Sequence, residues 1–169
     1  MLFRSDPPTI SAPSTVSSPS SSVTFASALG NSITVEDLDL GTNVVQVTIL
    51  VTNGDFTLTT TTNLVFTSGS GTHDGLMTFT GTLAEVNAAF DGATYASNGS
   101  ATGAIAIQVN DLGATGSGGP QIVQAEIVVQ TLGISNSHGT SVIVLPNNNP
   151  ANSNNSIPLI SAEIGRAHV

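Results

Sequence analysis

The chain contains no cysteine, no lysine and no tryptophan. Without cysteine it has no disulfides, thiolate zinc sites or thiol nucleophiles, so core packing or bound metal ions must hold the fold. Only 2 residues are basic against 11 Asp and Glu, which gives a formal net charge of −9. Because the cations that neutralise phosphates are missing, we expect no binding to nucleic acid or to anionic membrane surfaces.

Long apolar runs are also missing. No stretch of the sequence approaches the ~20 apolar residues that span a bilayer, so we expect no membrane insertion. The N-terminal residues lack the apolar core of a signal peptide, and an export signal for the parent protein would lie elsewhere. Aromatic residues are only 4% of the chain, which is a poor basis for a sugar-stacking cleft. No G-x-S-x-G elbow and no other nucleophile arrangement stands out, so we predict that the chain is not an enzyme.

Apolar and polar residues alternate in several stretches, the pattern of half-buried β-strands. The clearest are residues 44–52, 103–110 and 121–131. Turn signals recur about every 8–12 residues, a spacing typical of a β-sandwich. Asn53-Gly54 follows the first of these strands and predicts a two-residue hairpin turn. The pattern as a whole predicts an all-β fold, an antiparallel sandwich of about 7–8 strands.

One short segment has helical spacing instead. Leu83, Val86 and Phe90 recur at intervals of three and four residues, which places them on one face of a helix. Thr82 is a suitable N-cap, and Glu85 stands three residues later, as a capping box requires. The sequence therefore predicts one helix of about two turns that ends at Gly92.

Composition divides the chain into four parts. Residues 1–21 are rich in Ser and Pro and are interpreted as a linker or an edge strand. Residues 22–132 carry the strand pattern and form the predicted β-sandwich. Residues 133–162 are rich in Asn and Ser and are interpreted as a linker, with one additional strand at 141–145.

Residues 163–169 have a different character. Their sequence, Glu-Ile-Gly-Arg-Ala-His-Val, is the translation of the codons GAG ATC GGA AGA GCA CAC GTC, which match a widely used sequencing adapter. We interpret this segment as an artefact of sequencing and exclude it from the functional argument. The alternative is an ordinary charged C-terminus.

Three motifs occur in a characteristic order: the acidic loop Asp37–Gly41, the helical segment Gly81–Gly92 with Tyr95 after it, and the glycine-rich segment Asn110–Gly119. In this order they resemble a cadherin-like β-sandwich repeat of large bacterial surface adhesins and secreted proteins. The resemblance implies an immunoglobulin/cadherin-like fold and a non-catalytic extracellular module that serves as a spacer or in cell adhesion. It implies neighbouring repeats of the parent chain, and a cell-surface or glycan target, as partners. The alternative function is an extracellular polysaccharide-binding module.

The acidic residues of these motifs are candidate calcium ligands, because calcium takes about six to eight oxygen ligands that include carboxylates. The predicted set is Glu36, Asp37, Asp39 and Asp111. We expect the three aspartates to gather at one end of the sandwich and to bind calcium weakly. The alternative is a solvated acidic turn in which Asp side chains accept hydrogen bonds from loop amides.

Overall fold

The computed structural model describes residues 6–114, 118–131, 133–137 and 140–144, the last two ranges as backbone only. The strands are β1 (Thr9–Ser11), β2 (Thr15–Ser18), β3 (Ser22–Phe25), β4 (Thr34–Glu36), β5 (Val44–Thr52), β6 (Gly54–Thr57), β7 (Val65–Ser68), β8 (Leu76–Thr82), β9 (Ala93–Ser97), β10 (Thr102–Asn110), β11 (Ile122–Thr131), β12 (Gly133–Ser137) and β13 (Thr140–Val144). A 3-10 turn covers Ser27–Leu29, and the helix α1 covers Leu83–Phe90.

Two sheets hold most of the strands. The larger has six strands in the order β2-β11-β10-β5-β8-β7, and the smaller has three in the order β3-β9-β6. β1 pairs with β4, and β12 pairs with β13. All of these pairs are antiparallel except β2 with β11, which is parallel. The all-β prediction is confirmed, but the expectation of purely antiparallel sheets is wrong at that pair.

The alternating sequence pattern explains why these strands share one core. In β5, β8 and β10 every second side chain is buried, and the register places Val47 opposite Phe79 on one side and Val109 on the other. The smaller sheet adds Phe25 and Phe56, whose rings lie 5.9 Å apart. Side chains from both sheets and from α1 form a single hydrophobic cluster. Burial of this apolar surface is the main driving force for folding.

The capping box predicted for α1 is present. The backbone N–H of Thr82 donates to the Glu85 carboxylate at 2.8 Å, and that of Glu85 donates to the Thr82 hydroxyl at 3.4 Å. The hydrogen bonds that the Glu85 carboxylate accepts from the backbone N–H and the hydroxyl of Thr82 lower the pKa of Glu85. Asn87 connects the helix to β4, since its side chain accepts from Val35 N–H at 2.8 Å and donates to the Val35 carbonyl at 2.9 Å. The Asn87 amide thus makes, for Val35, the two hydrogen bonds that a neighbouring strand would make on the edge of β4 away from β1.

The predicted hairpin at Asn53-Gly54 is wrong. β5 belongs to the larger sheet and β6 to the smaller one, so this dipeptide carries the chain between sheets. Asn53 does have the positive φ that the dipeptide favours, at 58°. Gly54 is required for a different reason, since a Cβ there would overlap the carbonyl of Ala96 and the ring of Tyr95.

Residues 6–21, the described part of the N-terminal segment, contain more strand than their Ser/Pro-rich composition predicted. Residues 1–21, interpreted as a linker or edge strand, contain both β1 and β2. Val16 of β2 is buried in the core. This strand has four residues, too few for an alternating pattern to identify it in the sequence. The strand predicted at 141–145 corresponds to β13, whereas its partner β12 was not predicted. The proposed artefact at 163–169 and residues 145–162 lie outside the described residues.

We predict that Gly103→Ala destabilises the fold by about 1–3 kcal/mol, because the added methyl overpacks a buried site. Its Cβ would overlap the Tyr95 hydroxyl and lie 2.7 Å from the carbonyl oxygen of Thr52. Gly75→Ala is the matched control, since no atom lies within 4 Å of a Cβ at that position. Urea denaturation measures both, and equal free energies of unfolding for the two variants would contradict the close packing at Gly103.

Candidate functional site

The acidic loop follows β4 and is organised by its own aspartates. The Oδ1 atom of Asp37 accepts hydrogen bonds from the backbone N–H of Asp39 and of Leu40, each at 3.1 Å. Leu40 is fully buried and anchors the loop to the core. Gly41 then turns the chain with a φ of 62°, a conformation that glycine adopts at little cost. This local folding fixes Asp37 and Asp39 in place.

The carboxylates of Asp37 and Asp39 lie close enough to interact. One oxygen of each, Oδ2 of Asp37 and Oδ1 of Asp39, is buried. Burial raises the pKa of Asp37, and the neighbouring Asp39 raises this pKa further. The other Asp39 oxygen, Oδ2, accepts the backbone N–H of Asp6 at 3.3 Å. Neither Lys nor Arg occurs within residues 6–114 to compensate the two negative charges.

Asp111 performs a different task from the acidic loop. Its side chain is 1% exposed, and its Oδ1 accepts the backbone N–H of Gly113 at 2.8 Å and of Gln121 at 2.7 Å. Its own backbone N–H donates to the Gln121 carbonyl at 3.1 Å. Asp111 therefore closes the base of the glycine-rich turn that joins β10 to β11.

The structure thus places two of the four predicted calcium ligands in one loop. Asp37 and Asp39 share the acidic loop, Glu36 is exposed at the end of β4, and Asp111 is buried beneath its own turn. Among the described residues, no three side chains of His, Cys, Asp or Glu form a group that could hold a metal ion. Calcium binding therefore stays a prediction.

A second polar cluster was not predicted. The ring atom Nδ1 of His73 lies 2.9 Å from Asp55 Oδ1, and the backbone N–H of His73 donates to the Thr57 hydroxyl at 2.9 Å. In the same loop, Asp74 accepts the backbone N–H of Ser70 and of Gly71, each at 2.7 Å. The His–Asp pair is separated by 18 residues in sequence, and only the pairing of β6 with the loop at Asp74 brings it together.

The chain matches no protein-family model, no curated protein and no solved structure. Within the described ranges, no helix is long and apolar enough to cross a membrane.

The raised pKa of Asp37 predicts a specific dependence of stability on pH. Since this pKa lies above the ordinary value of 3.8, the folded protein binds the proton more tightly than the unfolded chain does. The stability that Asp37 contributes is therefore present below 3.8 and lost as the pH rises through the raised pKa. Asn at this position keeps the Oδ1 acceptor and carries no charge.

Relative to the native protein, Asp37→Asn should gain stability as the pH rises from below 3.8 until the raised pKa is passed, and the gain should then level off. Urea denaturation of both proteins in calcium-free buffer across this range measures the difference. A difference that stays constant with pH would show that Asp37 titrates alike in the folded and unfolded states.

Proposed function

We propose that the chain is a non-catalytic extracellular repeat module of a large bacterial surface or secreted protein, serving as a structural spacer or in cell adhesion. We propose further that its fold is an immunoglobulin/cadherin-like β-sandwich. The order of strands in the two sheets carries the proposal on the fold. The motifs Asp37–Gly41 and Gly81–Gly92, which resemble a cadherin-like repeat, carry the proposal on the function.

In an immunoglobulin domain, strands B, E and D neighbour one another in one sheet and strands C, F and G in the other. Here β3, β9 and β6 form one sheet, and β5, β10 and β11 are consecutive in the other. Assigned in chain order, β3, β5, β6, β9, β10 and β11 take the places of B, C, D, E, F and G. Both neighbour orders then agree with the immunoglobulin scheme.

The remaining strands extend this arrangement. β8 and β7 lie beyond β5, where variable-type domains add two strands to the C-F-G sheet. They differ from variable domains in chain order, because they follow β6 and lead into α1. The helical motif of the resemblance thus lies on the connection that returns the chain to β9.

The genomic context tests the function directly. A spacer or adhesive repeat should be encoded among further copies of the same pattern, with an acidic loop, a capped short helix and a glycine-rich turn in that order. Sequencing the source DNA on both sides of this segment shows whether the reading frame contains further copies. A reading frame that encodes a single copy within an enzyme would contradict the proposal.

We also propose that the module binds calcium weakly through Asp37 and Asp39, with Glu36 and Asp111 as the further carboxylates of the predicted set. The support is local: two fixed carboxylates share one loop, and burial and their proximity disfavour the state in which both are charged. A divalent cation would relieve this repulsion. In the parent protein, a neighbouring repeat would supply the missing oxygen ligands, as the resemblance implies.

Calcium should therefore stabilise the isolated chain only at millimolar concentration. With an affinity of about 10⁻⁴–10⁻³ M, typical of extracellular modules, about 10 mM calcium adds roughly 1.4–2.7 kcal/mol to the free energy of unfolding. We expect thermal melting to shift upward by about 3–11 °C and a chelator to reverse the shift. Magnesium at equal concentration controls for ionic strength.

The variant Asp37→Asn/Asp39→Asn should lose the calcium shift and keep the far-ultraviolet β signal. Glu126→Gln is the matched control, since it removes one exposed carboxylate from β11 and should keep the shift. If the melting curve of the native chain does not respond to calcium, the acidic loop is a hydrogen-bonded turn without a metal function.

A further inference from the structure

The outward face of the larger sheet carries its side chains in cross-strand rows. The register of β8, β5, β10 and β11 aligns one row of uncharged polar side chains: Thr78, Thr48, Gln108 and Gln124. The adjacent row on one side is also uncharged and polar over three strands: Thr80, Gln46 and Asn110. Side chains on the inward face at the alternating positions belong to the core. The outer face thus presents a block of hydroxyl and amide groups.

An apolar row borders this block on its other side. Leu76 of β8 lies opposite Leu50 of β5, and Leu50 lies opposite Ala106 of β10. Leu76 is 49% exposed and Leu50 is 51% exposed. Between the apolar row and the polar row is a groove of about 410 Å³, lined by Thr48, Leu50, Ala106, Ile107, Gln108, Gln124, Ala125 and Glu126. This volume falls in the range of about 300–1,000 Å³ found for ligand pockets.

The charges of the face restrict what can occupy it. Glu126 is the one charged side chain that lines the groove, and residues 6–114 and 118–131 contain neither Lys nor Arg. An anionic ligand would therefore meet a carboxylate and no compensating cation. A second copy of the chain is disfavoured as well, because each copy carries a net charge of −9 and like charges repel.

From this we propose that the outer face of the larger sheet is a binding site for an extended, uncharged polysaccharide. The proposal rests on the adhesive form of the function proposed above and names the chemical class of its target. Thr hydroxyls and Gln amides both donate and accept hydrogen bonds, as sugar hydroxyls do. The apolar row offers contact to the C–H groups of the sugar rings. Each row continues from strand to strand, as the sugar units of a polymer follow one another.

The same face predicts weak binding at each module. The described aromatic side chains are buried or half-buried, so no ring is available for stacking against sugar. Only one hydrogen bond is formed within the polar row, between the hydroxyls of Thr48 and Thr78 at 3.2 Å. Affinity for a polymer would therefore depend on several modules acting together, which raises the effective concentration of each site.

Titration of the complete chain with oligosaccharides, followed by amide chemical shifts, tests this proposal. The probes are cellohexaose, mannohexaose and maltohexaose, with hexagalacturonate as the anionic comparison. We expect at least one neutral probe to give saturable shifts confined to the outer face of β5, β8, β10 and β11. Hexagalacturonate should give none.

Two double variants separate the face from general effects on the sheets. Thr48→Val/Thr78→Val removes two hydroxyls from the polar row, keeps the side-chain shape and should weaken binding about tenfold or more, as the loss of two hydrogen bonds predicts. Thr24→Val/Thr94→Val is the matched control, because these residues are paired across β3 and β9 in the smaller sheet. It should bind like the native chain.

Three results would overturn the proposal. They are the absence of shifts with every neutral probe while the spectrum shows a folded chain, equal binding by hexagalacturonate, and concentration-dependent self-association that maps to this face. None of them bears on the spacer role, which depends on whether the parent reading frame contains further copies. A frame with tandem copies and a face that binds no sugar would keep the proposed function and reject only this target.

Discussion

The fold depends on one buried tyrosine at the point where the chain passes from one sheet to the other. The Tyr95 hydroxyl donates to the carbonyl of Asn53 at 2.8 Å, and its side chain is 0% exposed. Gly54 and Gly103 leave room for the ring, since a Cβ at either position would collide with it. Tyr95 lies in the smaller sheet and Gly103 in the larger one. Their contact therefore joins the two sheets without a disulfide.

Side-chain amides and carboxylates extend this role across the connections between strands. Asn87 pairs with Val35 as a strand would, and Asn31 accepts the backbone N–H of Ala26 and donates to the Thr24 carbonyl. Asp111 closes the turn between β10 and β11 in the same way. Each of these polar groups satisfies backbone atoms that would otherwise lose hydrogen bonds on folding. The prevalence of Asn and Asp in a chain without cysteine has this structural explanation, in addition to any role in metal binding.

The sequence predicted the elements whose signals are local and periodic. β5 has the bounds that its alternation indicated, and α1 has the capping box that Thr82 and Glu85 indicated. The sequence-based predictions were wrong or incomplete where tertiary contacts determine which strands form and pair. Asn53-Gly54 carries a genuine turn signal, but the signal does not specify whether the next strand pairs with the previous one or crosses to another sheet. β2 is too short for a pattern, and its burial comes from parallel pairing with β11.

The candidate site shows the same division. The proximity of Asp37 and Asp39 follows from their spacing within one loop, so it could be predicted. The position of Asp111 depends on how the glycine-rich turn folds back on Gln121, and the pairing of His73 with Asp55 depends on a contact between β6 and a distant loop. The rows on the outer face were also beyond prediction, because they depend on cross-strand register, which the sequence alone does not specify.

The central claim is that Tyr95 is buried in the core where the chain passes between the two sheets. The native chain contains a single tyrosine, so its titration tests this claim directly. Burial raises the pKa of Tyr95 above its ordinary value of 10.0. An alkaline titration followed by near-ultraviolet absorbance should therefore show a midpoint of phenolate formation above this value, together with loss of the β signal in circular dichroism. A midpoint at the ordinary value of 10.0 with the β signal intact would contradict the account.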